Sequence, residues 1–364
     1  MTATVDGFRG TTLAGPGGRA VTVRLGRVSA RFRWRSVVVP VAALAAVVLL
    51  SALSLGRGDY PLGVADVLRT LAGAGETSHR FIVLELRAPR TLVGVLVGLA
   101  FGLAGALFQT FARNPLASPD VLGITQGASV GAVAVIVLGG GSGGALLGGL
   151  GVPLAALLGA LVAGGLLFVL AWRAGLDGFR LVLVGIALWT SGNALTDYLL
   201  TRAQIHDAAA AYVWITGSLN ARTWDHAAQL GIALAVLVPV ALAAGRVLGV
   251  LQFGDDTARG LGVRLAGAQA AVVVVAVLLV AAGVAAAGPI AFVALVVPQI
   301  AVRLAGGSRP PLLASGLLGA ALVTGADLLT RTVLPEALPV GILTAAVGAP
   351  YLLWLLVRGR RTPA

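Results

Sequence analysis

The sequence predicts an all-α membrane protein, a polytopic bundle of about ten transmembrane helices with both termini on the cytoplasmic side. Three observations predict it. The 364-residue chain is 58% hydrophobic and only 11% charged, with a mean hydropathy of +0.97, more apolar surface than a water-soluble fold can bury. Its apolar residues are gathered into uncharged runs close to the roughly 20 residues that a helix needs to cross a ~30 Å hydrocarbon core. All 26 basic residues are arginine, and most fall in the tails and in alternate connections, the pattern of the positive-inside rule.

Residues 1–35 read as an Arg- and Gly-rich cytoplasmic tail, poorly ordered, with arginines from Arg9 to Arg35 suited to anionic lipid. The run that follows is longer than a signal-peptide core and lacks a convincing cleavage site, so it reads as a retained first helix. The ten spans of the 36–357 permease-like domain are 36–55, 91–112, 121–138, 152–172, 181–199, 227–244, 267–288, 290–302, 311–330 and 341–357. The seventh and eighth come from one apolar stretch too long for a single crossing, and Gly288-Pro289 is its natural turn. Between the first two spans, residues 60–71 suggest a short amphipathic surface helix carrying Asp66 and Arg69. Residues 358–364 form a basic cytoplasmic tail containing Arg358, Arg360 and Arg361.

Several chemistries are excluded or disfavoured. There is no cysteine and the single methionine is Met1. His79, His206 and His226 fall in separate predicted loops, so no metal or haem site is expected. A phosphate-binding P-loop needs a lysine that this chain lacks, so any ATP is bound and hydrolysed by a partner. Gly140-Gly-Ser142-Gly143 fits the string of intramembrane serine proteases, but no late span supplies the histidine that would activate the serine, and a Gly-rich loop is the better reading. Gly94, Gly98 and Gly102 share one helical face, as close helix packing requires. The arginines are spread over loops, so nucleic acid is not an expected partner.

The most specific segment is 113–123, RNPLASPDVLG, placed by the topology between the second and third spans on the cytoplasmic side. Asn114-Pro115 and Ser118-Pro119 make successive turns there. With its flanks from Leu86 to Gly131 it resembles the signature of the FecCD type of ABC-transporter permeases, which import ferric siderophores, haem and vitamin B12. The run from Gly288 through Pro298 and Gln299 to Arg303 is similar to the family's eighth helix, except that Gln299 stands where histidine is common. Residues 326–331 and 336–341, ADLLTR and EALPVG, resemble its ninth-to-tenth connection, and 211–224 its fifth-to-sixth.

The resemblance implies roles. The polar segment 252–264 matches the coupling helix that docks on an ABC ATPase subunit, with Asp256, Ala258, Arg259, Leu261 and Gly262 on the pattern and Asp255 or Asp256 as cap. Arg113, Asn114, Pro115, Pro119 and Gly123 form the cytoplasmic signature loop, expected to shape the inner surface beside the ATPase without touching cargo. Arg87, Arg90 and Arg331 stand on the side where few positive charges belong, so each needs an anionic partner. The family's substrate-binding protein is one such partner; lipid headgroups, or Asp327 for Arg331, are the alternative. Thr190, Ser191 and Asn193, with Asp197, and Thr344 are candidates for a pathway between two permease subunits, either two identical copies or a related pair.

The expected function is that of the membrane-spanning subunit of an ATP-driven importer for a ferric siderophore, without bond chemistry or cofactor of its own. Haem or vitamin B12 is the alternative cargo within the family. An ion-coupled secondary transporter would call for ionisable relays within the bilayer, and only Asp197 and Asp327, near span ends, are offered.

Overall fold

The computed structural model describes residues 11–15, 18–25, 28–58, 60–139, 151–172, 178–251, 255–334 and 338–359. The tail differs from expectation. Instead of an irregular segment it forms an antiparallel meander of β1 (Thr11–Gly15), β2 (Gly18–Leu25) and β3 (Val28–Arg33), with Val21 opposite Thr12 and Phe32. β-Branched residues in β1 and β2, among them Thr11, Thr12, Val21, Thr22 and Val23, favour the extended backbone.

The rest is helical. In order come α1 (Arg35–Gly56), the short α2 (Val64–Leu71), α3 (Thr77–Ala112), α4 (Ile124–Leu138), α5 (Gly151–Ala171), α6 (Gly178–Thr201), α7 (Ile205–Ile215) and α8 (Trp224–Leu251). The six-residue α9 (Asp255–Gly260) follows, then α10 (Leu265–Ala287), α11 (Val293–Ala305), α12 (Leu312–Thr332) and α13 (Val340–Gly359). Seven of these are long and apolar enough to cross a membrane, and α4, α11 and α13 are shorter apolar helices. Each of the ten predicted spans therefore has its helix; most ends are displaced by a few residues, but α3 begins at Thr77, well before the predicted start at 91, and α8 runs on to Leu251, past the predicted end at 244. The three histidines sit in helices, not loops: His79 in α3, His206 in α7 and His226 in the first turn of α8. Residues 140–150, with the Gly-Ser-Gly string, lie outside the described residues, as do Gln252, Glu336, Arg360 and Arg361.

Helix α3 is the axis of the bundle and packs on α8, α10, α11 and α12. Small residues make this possible. A methyl group at Gly98 would collide with the Gly319 carbonyl of α12, and one at Gly319 with the Gly98 carbonyl, so the two backbones touch directly. Near its start α3 widens into a π-helical stretch, Phe81–Arg87, which turns Arg87 inward to 7% exposure. Helix α10 stops at Gly288, whose φ of +74° suits glycine, and the chain bends before α11 begins.

Candidate translocation and coupling sites

Polar side chains gather in three places: at the end of the bundle where α3 starts, at the end where α3 stops, and halfway between.

At the first, Asp327 of α12 is 2% exposed. Its carboxylate accepts hydrogen bonds from Arg90 Nε and Nη2 on α3, the shortest at 2.7 Å, and lies 3.1 Å from Arg331 Nε one turn along α12. Arg331 also donates to Ser54 Oγ of α1, which is 2.8 Å from Thr91 Oγ1 of α3. Arg87 Nη1 donates to the Leu55 carbonyl at 2.8 Å and Nη2 to that of Tyr60. The anionic partner that sequence reasoning required for Arg90 and Arg331 is thus supplied within the chain, and Arg87 is engaged by backbone carbonyls. All three guanidinium groups tie α1, α3 and α12 together from inside. Of the partners the sequence offered, Asp327 for Arg331 is the one the fold supplies, and it serves Arg90 as well: a guanidinium buried among apolar helices is held by acceptors of its own fold.

At the opposite end, Arg113 closes α3 in a left-handed conformation, φ +50°, and its Nη2 donates to the Leu251 carbonyl at the C-terminus of α8, 2.7 Å away. Asn114 Oδ1 accepts the Leu116 N–H at 2.9 Å, an Asx turn that Pro115 stiffens. Beyond α8 comes α9. Ala258 is completely buried against the bundle whereas Leu261 is 66% exposed, and Gly262 ends the turn at φ +81°. The Val263 N–H returns to the Ala258 carbonyl at 3.1 Å. The described backbone starts α9 at Asp255, with Asp256 in its first turn and Arg259 exposed in its last. Beside Arg113 lies a cavity of about 610 Å³ reaching Gln299 and Arg309. Gln299 donates to Gln109 Oε1 at 2.6 Å, and Gln109 donates to the Leu295 carbonyl at 2.8 Å.

The middle site is unexpected. Residues 118–123 do not stay at the bundle end with Arg113; they turn inward. The Leu122 N–H bonds to the Ser118 carbonyl, and the Ile124 N–H to that of Pro119. Gly123, at φ +75°, lies so close to Leu188 and Trp189, halfway along α6, that a methyl group would stand 2.7 Å from the Trp189 nitrogen. Helix α4 is consequently short, because it begins inside the bundle. Asp120 is carried in with it and accepts the Phe292 N–H at the start of α11, 3.3 Å away. Asp120 then lines a cavity of about 470 Å³ with Gln126, Asn193 and Asp197, closed on another side by Gly341 and Ile342 of α13. Of the residues named for the pathway, Asn193 and Asp197 line this cavity. Thr190 is exposed and donates its hydroxyl to the Ile186 carbonyl one turn back at 2.9 Å, Ser191 is exposed too, and buried Thr344 donates its hydroxyl to the Gly341 carbonyl of its own helix at 3.0 Å. The signature segment therefore reaches the polar interior, contrary to its expected confinement to the inner surface. Among the described residues no three His, Asp or Glu side chains gather as metal ligands.

The profile of the FecCD transport family matches residues 37–358. The chain belongs to that family. Its relatives include the ferric enterobactin transport system permease protein FepG of Escherichia coli, 37% identical over 87% of this chain and 95% of its own length. The achromobactin transport system permease protein CbrC of Dickeya dadantii is 39% identical over 93% and 96%. Among solved structures, an inward-facing ABC transporter described as of metal-chelate type superposes with a TM-score of 0.77 at 25% identity, covering 88% of this chain and 98% of that one. As a FecCD permease the chain is a multi-pass membrane subunit, and ATP hydrolysis belongs to a separate subunit of such importers. Sequence reasoning missed Asp120, although a carboxylate within the family signature of so apolar a chain was a signal.

Proposed function

We propose that this FecCD permease carries a ferric siderophore across the cell membrane, as one of a pair of permease subunits served by ABC ATPase subunits on the cytoplasmic side and a substrate-binding protein on the other. The observation that carries the reading is the construction of α9. Ala258 anchors it to the bundle, Arg113 of the signature segment braces the end of α8 just before it, and Leu261 is left projecting. A short helix rooted in this way moves with the bundle, so closure of an ATPase on Leu261 is transmitted to α8 and α3. Asp256, Arg259 and Gly262 complete its surface.

In this reading the end bearing Arg113 faces the cytoplasm, and that bearing Arg87, Arg90 and Arg331 faces the binding protein. The three arginines serve docking indirectly, by fixing α1, α3 and α12 in register beneath the contact surface. The cavity with Asn193 forms one wall of the pathway, and the second permease supplies the other. Iron travels inside its chelator, which supplies its ligands.

The test is ATP-dependent uptake of an iron-55-labelled siderophore into vesicles containing the complete importer. Leu261→Arg is expected to reduce uptake and ATPase association at least tenfold, since a charge in an apolar docking contact costs a few kcal/mol, while the permease keeps its melting temperature. Uptake driven by an ion gradient without ATP, or full coupling in the variant, would sink the proposal.

A further inference from the structure

The turn that joins α7 to α8 forms part of the wall of the mid-bundle cavity. Ile215 and Thr216 line that cavity beside Pro289, Gly341 and Ile342. Two backbone bonds fasten the turn to the helices around it. The Ser218 N–H donates to the Ala287 carbonyl at the end of α10, 2.9 Å away, and the Gly217 carbonyl accepts the Gly341 N–H at the start of α13, 3.1 Å away. Trp224 Nε1 donates to the Leu84 carbonyl in the π-helical stretch of α3 at 2.9 Å, which sets the turn at the end of the bundle that bears Arg87 and Arg90. Ala221 adopts a left-handed conformation, φ +55°, which a residue with a β-carbon keeps only where its surroundings impose it.

His226, in the first turn of α8, reaches back over this turn. Thr223 Oγ1 lies 2.9 Å from its Nδ1, with the Thr223 N–H at 3.3 Å, and Arg222 Nη1 is 3.4 Å from its Nε2. Arg222 in turn donates from Nε to the Ser218 carbonyl at 3.3 Å. A neutral imidazole keeps one nitrogen able to accept, whichever tautomer it takes. With Nδ1–H directed at the Thr223 hydroxyl, Nε2 accepts from Arg222. A second proton removes that acceptor and sets a cation against a guanidinium that does not give up its own charge. His226 stands ahead of the apolar run that begins at Ala227 and is partly exposed. Partial burial and Arg222 push its pKa below the usual 6.5, and the neighbouring carboxylate of Asp225 pulls the other way. Helix α3, packed along α8, brings to this corner the neutral Leu84 carbonyl. The fold thus favours the neutral ring, whose hold is complete above pH 6.5 and is lost as pH falls below that value through the lowered pKa.

We propose that His226 is a positioning residue, a latch that in its neutral form holds the 216–223 turn over the outer end of the cavity and releases it when the external medium turns acid. The proposal rests on the importer reading, in which this end faces outward and stays sealed while cargo leaves toward the cytoplasm. A loosened seal lets cargo slip back, so ATP is hydrolysed with less net uptake.

The experiment uses right-side-out vesicles containing the complete importer, loaded with ATP and buffered inside at about pH 7.5, with the external medium at about pH 7.5 or about pH 5. Siderophore taken up per ATP hydrolysed is expected to fall about threefold or more in acid for the wild type. His226→Gln, uncharged at both values and still able to accept from Arg222, is expected to flatten that profile. His79→Gln, at the same end of the bundle, is expected to leave it unchanged. His226→Arg is expected to show the acid ratio already at about pH 7.5. In the permease alone, hydrogen exchange of residues 216–223, corrected for its intrinsic pH dependence, is expected to quicken in acid for the wild type and not for His226→Gln. A His226→Gln profile that matches the wild type, or exchange indifferent to pH, overturns the latch and leaves the importer reading standing. Absence of ATP-driven uptake at about pH 7.5, with exchange still responding to pH through His226, overturns the importer reading and leaves the latch.

Discussion

One buried carboxylate, Asp327, serves two guanidinium groups, and its removal leaves both without a counter-charge. Breaking a buried ion pair from one side costs about 3–5 kcal/mol, because the remaining charge stays desolvated. Asp327→Ala is therefore expected to lower the melting temperature of the detergent-solubilised permease by several degrees. Asp66→Ala removes only the exposed contact with Arg69 at 3.9 Å and is expected to cost less than about 1 kcal/mol. Equal losses in the two variants would show that the buried cluster contributes no more than a surface pair. The sequence exposed these arginines as anomalies, since positive charge is sparse on that side. It also offered Asp327 to Arg331, four residues away on one helix. The contact with Arg90 spans 237 residues, and no local pattern reveals it.

At the scale of elements, the helices were legible because length and hydropathy are properties of contiguous sequence. Gly94, Gly98 and Gly102 were likewise legible as a packing face, and the structure sets a test of it. At Gly98 an added methyl meets the α12 backbone, whereas at Gly165 on α5 it meets nothing within 4 Å. Gly98→Ala is expected to destabilise by about 1–3 kcal/mol through overpacking, and Gly165→Ala to stabilise by roughly 0.5–1 kcal/mol through helix propensity. Matching melting temperatures for the two variants would remove direct backbone contact as the reason for the glycines. What the sequence concealed was depth. Residues 113–123 carry the turn residues of a surface loop, yet half of them enter the bundle. Their polar groups are satisfied internally, by the Asx turn at Asn114, the carbonyls of Ser118 and Pro119 and the Asp120–Phe292 bond, and polar backbone satisfied in this way is tolerated at membrane depth. The same inward turn explains why Asp120 joined the candidate site unannounced.

At the scale of the whole molecule, the faces of α1 and α6 are both largely exposed in the isolated chain, but they differ in chemistry. Helix α1 presents Val37, Val41, Leu44 and Val48, side chains that lipid accepts. Helix α6 presents Thr190, Ser191 and Asp197 among its apolar neighbours, and polar groups of that kind within a bilayer face protein or a water-filled passage. On the proposed pairing of permeases, α6 is expected to lie against the second permease and α1 against lipid. The chain has no cysteine, so single replacements report without background. Ser191→Cys, treated in native membranes with a short bifunctional maleimide, is expected to give a band at the combined mass of two permeases. Val48→Cys, labelled equally well by a monofunctional maleimide, is expected to stay at the mass of one. A cross-link from Val48 and none from Ser191 would move the subunit interface to α1, and with it the pathway away from the cavity that holds Asp120 and Asn193.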